Sequence, residues 1–385
     1  MYITIKTGHQ QVNQERTNAI DELFAGNTDI ILPDTNSDRT IVRTRTYHHE
    51  HIHTSNHVRP EMMAVVNERL KELRAKHPHP ETEYETFRIP KKTHGFREIN
   101  APLPELKKDL KHISNLLTGY LGILSHDSAW AYIPGRDVVY AMKEHTKNKS
   151  RWYLKLDLHD FFGSCNKGFI IKQLKKIYPF AELETHTDEI LNNIAELATK
   201  DNGLPQGTPL SPVLTNLIMV EYDYKINNIL KHMSSREIEK QKYIYTRYAD
   251  DIIISAKNKF DYNKIITAIK ELFADTPLTI NEEKTRFGSN SGRNWNLGIM
   301  CNKDNKITIG YRRKQHMKVI INNYMKDKEQ NILWSLEDLY WLQGQLSWLQ
   351  NVEPTYFRGF RTYINNKYSN DIVNSIIADI KSYTN

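Results

Sequence analysis

The sequence predicts an α+β fold in which a mixed core of strands and helices over residues 85–300 is followed by an all-helical domain. Three observations point there. Short runs of alternating apolar and polar residues, broken by Gly, Pro and Asn, recur through the middle of the chain. Longer segments with apolar residues at helical spacing lie between them. Beyond residue 305 only the helical spacing continues, with basic residues interleaved.

Taken in order, residues 1–80 are polar and irregular except for a helical stretch from Pro60 to Leu73. The histidines at His48, His49, His51, His53 and His57 offer same-face metal ligands on a strand, but no second ligand cluster completes a site. A solvated strand or RNA-contacting arm is the better reading. Tyr84–Pro90 alternates like a strand, Lys91-Lys92-Thr93-His94-Gly95 turns, and Phe96–Asn100 returns, which predicts a hairpin with a basic tip. Leu106, Leu110, Ile113, Leu116 and Leu117 share one face of a helix within Pro104–Leu124, and Trp152–Asp157 is a strand that ends in a carboxylate. A helix begins near Ser211-Pro212. Lys242–Arg247 and Ile252–Ser255 are strands on either side of a tight break at Ala249-Asp250-Asp251. Arg312–Lys318, Leu336–Leu349, Tyr356–Tyr368 and Asp371–Tyr383 complete a small helical domain, with Trp341 and Trp348 assigned mainly to its core. The expected boundaries are an N-terminal extension at 1–80, a central domain at 81–305 and the helical domain at 306–385.

A chain of 385 residues is long enough for two or three domains, and its net charge of +7 suits a polyanionic partner. Only Cys165 and Cys301 are present, far apart, which excludes a cysteine zinc site or a disulfide framework. No run approaches the 18 apolar residues of a membrane span, and the N-terminus lacks a signal-peptide h-region. A cytoplasmic protein with no membrane partner is expected.

Chemistry concentrates at Asp250 and Asp251. Consecutive aspartates at a hairpin tip repel one another and cannot both enter the core, so the pair is costly without a cation. Asp157 ends another strand. If the two strand ends meet in one sheet, three carboxylates surround a pair of divalent ions about 3.5–4 Å apart, an arrangement suited to in-line phosphoryl transfer. Oxygen ligands favour Mg²⁺ or Mn²⁺ over zinc.

The chain resembles the reverse transcriptase family through motifs in order. These are Asp157-Leu158-His159-Asp160-Phe161-Phe162, then Gly203–Asn216, Tyr248–Asp251, Asn281–Thr285 and Asn296-Leu297-Gly298. Upstream, Lys92–Asn100 and Ala131–Arg136 are similar to fingers motifs of the retron and group II intron branch. The resemblance implies a right-hand polymerase, with fingers and palm at 81–305 built from antiparallel sheet plus helices, and a helical thumb at 306–385. It implies a catalytic set of Asp157, Asp250, Asp251 and Lys284, with two Mg²⁺ (Mn²⁺ as a substitute) at Asp157, Leu158, Asp250 and Asp251. It gives the incoming nucleotide to Lys92, Arg97, Leu158, Asp160, Phe161, Phe162, Gln206 and Gly207, the primer grip to Leu297 and Gly298, and duplex phosphates to Arg312, Arg313 and Lys314. Phe162 takes the aromatic gate position that disfavours a 2′-hydroxyl. Lys284 either donates a proton to pyrophosphate or neutralises charge.

The implied function is RNA-directed DNA synthesis from dNTPs on a structured non-coding RNA template, primed either by an RNA hydroxyl or by a protein hydroxyl such as a tyrosine. An RNA–DNA duplex is the product, in a setting of antiphage defence, with a homo-oligomer or an effector protein as further partner. Retron enzymes carry Val-Thr-Gly where this chain has Asn296-Leu297-Gly298, and with the unmatched first 80 residues this favours an unassigned defence-associated group. The alternatives are a retron enzyme making RNA-linked single-stranded DNA, a non-catalytic RNA-binding scaffold of the same fold, and an RNA-dependent RNA polymerase, which Phe162 disfavours. The scattered acids after Met300 imply no RNase H or endonuclease domain.

Overall fold

The computed structural model describes residues 58–90, 95–236, 241–291 and 295–383. Lys92, the His48–His57 cluster and residues 1–57 of the expected extension lie outside them. Backbone contacts divide the chain into two compact units, one holding the residues up to Asp127 with His159–Ile226 and Lys270–Thr279, the other holding Ser128–Leu158, Asn227–Ile269 and Ile280 onward.

In the first unit β1 (Tyr84–Pro90) and β2 (Phe96–Pro102) form the expected antiparallel hairpin, running from Tyr84 opposite Pro102 to Pro90 opposite Phe96. The hairpin is largely exposed, Phe87, Ile89 and Phe96 included. Its base is held by the motif Gly203–Asn216: Asn100 N–H donates to the Gln206 carbonyl at 2.8 Å. The helix Pro60–Lys76 packs on the helix Thr187–Ala198 through its apolar face, Met63, Val66, Leu70 and Leu73. Asn67 donates to Glu189 at 2.6 Å and Arg74 pairs with Glu196 at 2.7 Å. Residues 58–80 are therefore packed into this unit. At the end of that helix the buried His77 ring lies 2.8 Å from both Glu83 and Asp109, joining the helix to the approach to β1 and to the helix Pro104–Asn115.

In the second unit an antiparallel sheet has the order β4 (Ile244–Tyr248), β5 (Asp251–Ala256), β3 (Trp152–Asp157), β6 (Arg286–Ser289). The central strands β3 and β5 carry near-continuous apolar runs because both of their faces are covered. The helix Val138–Lys147 sets His145 against β4 and β5, with Nδ1 2.6 Å from Ser255 Oγ and Nε2 2.8 Å from Thr246 Oγ1. Complete burial drives the imidazole pKa down to about 3, so the ring is neutral.

A small sheet of β7 (Trp295–Asn296), β8 (Ile299–Cys301) and β9 (Ile307–Thr308) precedes four helices: Tyr311–Glu329, Leu336–Val352, Pro354–Tyr368 and Ile372–Ser382. One core runs through all of them, from Tyr153, Ile253 and Ile299 to Tyr324, Leu342 and Ile376. The expected core tryptophans need correction. Trp348 is partly buried against this cluster, but Trp341 is 46% exposed, on the outer side of its helix. Cys165 and Cys301 are both buried and free. No described helix is long and apolar enough to cross a membrane.

Candidate active site

Within the second unit, β3 ends at Asp157 and the neighbouring β5 begins at Asp251, directly opposite. Opposed residues on antiparallel strands project to the same face with Cβ atoms about 4.5–5.5 Å apart, so the fold sets these two carboxylates side by side. Asp250 sits next to them in the two-residue turn Ala249-Asp250 that joins β4 to β5, with Tyr248 opposite Asp251. Ala249 has φ +56°, positive at the first central position, where hairpin turns of this kind usually place glycine.

The turn is held from beneath by Arg247. Its side chain is fully buried, and Nη1 donates to the Ala249 carbonyl at 3.2 Å. Its backbone N–H donates to Ser128 at 2.7 Å and its carbonyl accepts from Trp130 at 2.8 Å. Two further backbone bonds converge on the acids: Leu158 N–H to the Asp250 carbonyl at 3.1 Å and Asn281 N–H to the Asp157 carbonyl at 2.7 Å. Leu158 has a buried apolar side chain, so only its backbone is available to an ion.

Two lysines face the acids. Asn281 opens the short 3₁₀ turn Glu282–Lys284, which carries Lys284 Nζ to 2.9 and 3.2 Å from the two Asp157 oxygens. That bond, and then the charge of the acids, hold the Lys284 pKa above the usual lysine range. Lys155, two residues before Asp157 and thus on the same face, brings Nζ to 2.8 Å from Asp251 Oδ1. This contact is ionic but not aligned as a hydrogen bond, and the buried Oδ1 has no other partner. Burial first, then the charges of Asp251 and Asp157, push the Asp250 carboxyl pKa up.

These features suit a hard divalent cation: oxygen-only donors, one buried carboxylate oxygen without a hydrogen bond, and a carboxyl whose ionised form is disfavoured until positive charge arrives. The acids are not gathered into a ligand cluster as they stand. Among the described residues no three His, Cys, Asp or Glu side chains are positioned to hold a metal ion. Asp157 and Asp251 are instead each paired with a lysine.

The first unit holds the described residues expected at the incoming nucleotide other than Leu158. Arg97 is exposed on β2 and shares a face with Ile99. Gly207, at φ +114°, lies so close to that strand that a Cβ would come within 2.9 Å of Ile99 Cγ2 and 3.1 Å of the Asn100 carbonyl oxygen. Gln206 and Gly207 are therefore brought onto the strand that carries Arg97. Asp160, exposed and left-handed at φ +39°, begins the one-turn helix Phe161–Ser164, in which Phe161 is buried and Phe162 half-buried. Leu204 N–H donates to the Phe162 carbonyl at 3.0 Å. Beside it a Cβ on Gly203 would lie 2.6 Å from the Gly163 carbonyl oxygen, so both motifs meet backbone to backbone.

Leu297 and Gly298 form the turn between β7 and β8, both with positive φ. The basic run that follows is partly used inside the fold: Arg313 Nη1 donates to the Gly298 carbonyl at 2.7 Å, and Lys314 pairs with Glu353 at 2.6 Å over the Tyr356 ring. Arg312 is exposed. Sequence reasoning missed Lys155, Arg247 and Gly163. The signal for the two basic residues was a charge inside an otherwise apolar strand.

Residues 89–323, more than half of the chain, match the family model described as Reverse transcriptase (RNA-dependent DNA polymerase). The Escherichia coli retron Ec83 reverse transcriptase is 26% identical over 77% of this chain and 90% of its own length. Retron Ec73 reverse transcriptase, from the same organism, is 27% identical over 74% and 86%. A telomerase structure from Candida tropicalis, bound to a telomeric RNA fragment, aligns with a TM-score of 0.44 and 14% identity over 74% of this chain and 55% of that one, too distant to bear on function. On the family match, and with relatives of this kind, the chain is a retron-like member of the reverse transcriptase family, the RNA-directed DNA polymerases.

Proposed function

We propose that this polymerase copies a structured non-coding RNA by two-metal nucleotidyl transfer, with Asp157, Asp250 and Asp251 as carboxylate ligands and the Leu158 backbone beside them. The observation that carries this reading is the cross-strand pair Asp157–Asp251 next to the Asp250 turn. Reverse transcriptases work with divalent metal ions. For all-oxygen ligands Mg²⁺ is the expected ion and Mn²⁺ a substitute; two ions supply activation of the primer hydroxyl and stabilisation of the leaving pyrophosphate. Lys284, kept charged by Asp157, serves first as a counter-cation and must leave that carboxylate to donate a proton.

Arg97 offers a planar fork for the triphosphate of the incoming dNTP, assisted by Lys92. Gln206 and Gly207 lie under the nascent base pair, Asp160 and Phe161 contact the nucleotide, and Phe162 excludes ribonucleotides. The Leu297-Gly298 turn, braced by Arg313, grips the primer, and Arg312 leads Arg313 and Lys314 in contacting duplex phosphates. In domain terms we assign fingers and palm to 81–305 and the thumb to 306–385.

We take a dedicated non-coding RNA as the template and, on the retron-type reading that similarity to retron reverse transcriptases supports, RNA-linked single-stranded DNA as the product. We place the enzyme in the cytoplasm, in antiphage defence, as a homo-oligomer or with an effector. The test is incorporation of labelled dNTPs by the purified protein with its co-purifying RNA and Mg²⁺, followed by sequencing of the bound nucleic acid. Asp250→Ala should abolish incorporation while leaving RNA binding unchanged. Undiminished incorporation by that variant rejects the assignment.

A further inference from the structure

We propose that Lys155 is a positioning residue of the metal site, an internal counter-cation that holds Asp251 in the metal-free enzyme and lowers the affinity for divalent ions by competing for it. The inference rests on the two-metal reading and adds a residue that reading does not contain.

Lys155 cannot avoid the acids. Side chains two apart on a strand share a face, so Lys155 projects with Asp157, and Asp251 stands across from Asp157 on the neighbouring strand. The ammonium closes this diagonal to 2.8 Å from Asp251 Oδ1. That oxygen is buried and accepts no hydrogen bond, which leaves the ion pair as its compensation. The two lysines differ in how much water screens them. Lys284 is 61% exposed, whereas the Lys155 and Asp251 side chains are 25% and 23% exposed. Lys155 is therefore the stronger competitor for an incoming ion. Its partial exposure still gives the ammonium a path to solvent when a divalent ion displaces it.

The test is titration of the full-length, nucleotide-free protein with Mn²⁺ at low salt, reading the electron paramagnetic resonance signal of the free ion. Lys155→Met should bind Mn²⁺ about tenfold more tightly than wild type, the scale expected of one unit charge removed from within a few Å. The gain should shrink in high salt. Lys155→Gln should reproduce the gain should the apolar side chain disturb folding, and Lys155→Arg should restore wild-type affinity. Unchanged or weaker binding in both neutral variants overturns the proposal. Asp251→Asn separates the two levels: it should weaken Mn²⁺ binding, and wild-type binding by this variant rejects the metal site itself together with the role of Lys155.

Discussion

Replacing Asp250 with Asn removes the one acid at the tip that has no lysine of its own. Two like charges about 6 Å apart repel by about 3 kcal/mol at an effective dielectric of about 20. Lys155 on Asp251 and Lys284 on Asp157 cancel most of that repulsion. We expect about 1 kcal/mol to remain against the ionised Asp250, in addition to the cost of its burial. The folded pKa is raised, so the native state holds the proton more tightly than the unfolded chain. Stability without metal should then fall as pH rises from the ordinary carboxylate value of 3.8 through the raised folded value, and Asp250→Asn should lose that slope. In EDTA at pH 8 the variant should melt about 2 °C above wild type. Mg²⁺ at ten times its Kd should stabilise wild type by about 1.4 kcal/mol, and the variant should gain much less. Calorimetry with EDTA or Mg²⁺ at pH 5 and pH 8 checks all three expectations. A variant that melts below wild type in EDTA, or that keeps the full Mg²⁺ shift, refutes the reasoning.

Phe162→Ala should relax discrimination against rNTPs, measured as the ratio of kcat/KM for a dNTP and its rNTP; an unchanged ratio removes the gate assignment. His145 carries an acid sensitivity. Its folded pKa of about 3 lies below the usual 6.5, so stability is full above pH 6.5 and is lost as the unfolded chain alone takes up the proton. At pH 5 that amounts to about 2 kcal/mol, and urea melts of His145→Gln should show a pH 7 to pH 5 loss smaller by this amount. Gly203→Ala should destabilise by about 1–3 kcal/mol, because the Gly163 backbone it meets has no side chain to move aside. Since Leu204 bonds the Phe162 carbonyl, the same variant should also change rNTP discrimination.

Local pattern was enough to read β1 and β3 to the residue and the start of β2, which runs on two residues past the expected Asn100 to Pro102, where proline ends the pairing. The acids were legible for the same reason, as carboxylates at strand ends. What faces them was not. The opposition of Asp157 and Asp251 is a matter of register, set by pairing between strands far apart in sequence. A lysine at 155 and an arginine at 247 look like solvent-facing strand positions until the sheet closes over them. The sequence offers the run Arg312–Lys314 to duplex phosphates but does not show that Arg313 and Lys314 also reach a turn carbonyl at Gly298 and a carboxylate at Glu353. Helical spacing placed Trp341 on a helix without saying which face the other helices would cover.

Adjacent acids at a hairpin tip need a cation, and the fold already supplies part of that charge. Two of the three carboxylates, Asp157 and Asp251, each have an ammonium group within 3.2 Å, so those two acids are already compensated and about one uncancelled charge is left. The need for an ion is thereby concentrated on Asp250. Its structural work is done by its backbone, whose carbonyl accepts from Leu158 N–H, while its carboxylate is bonded to its own N–H. Asparagine at this position could keep the hairpin and relieve the charge. A carboxylate that burial disfavours and the hairpin does not require is best explained by a ligand of opposite charge, so Asp250 adds to the opposed pair Asp157–Asp251 as support for a metal site.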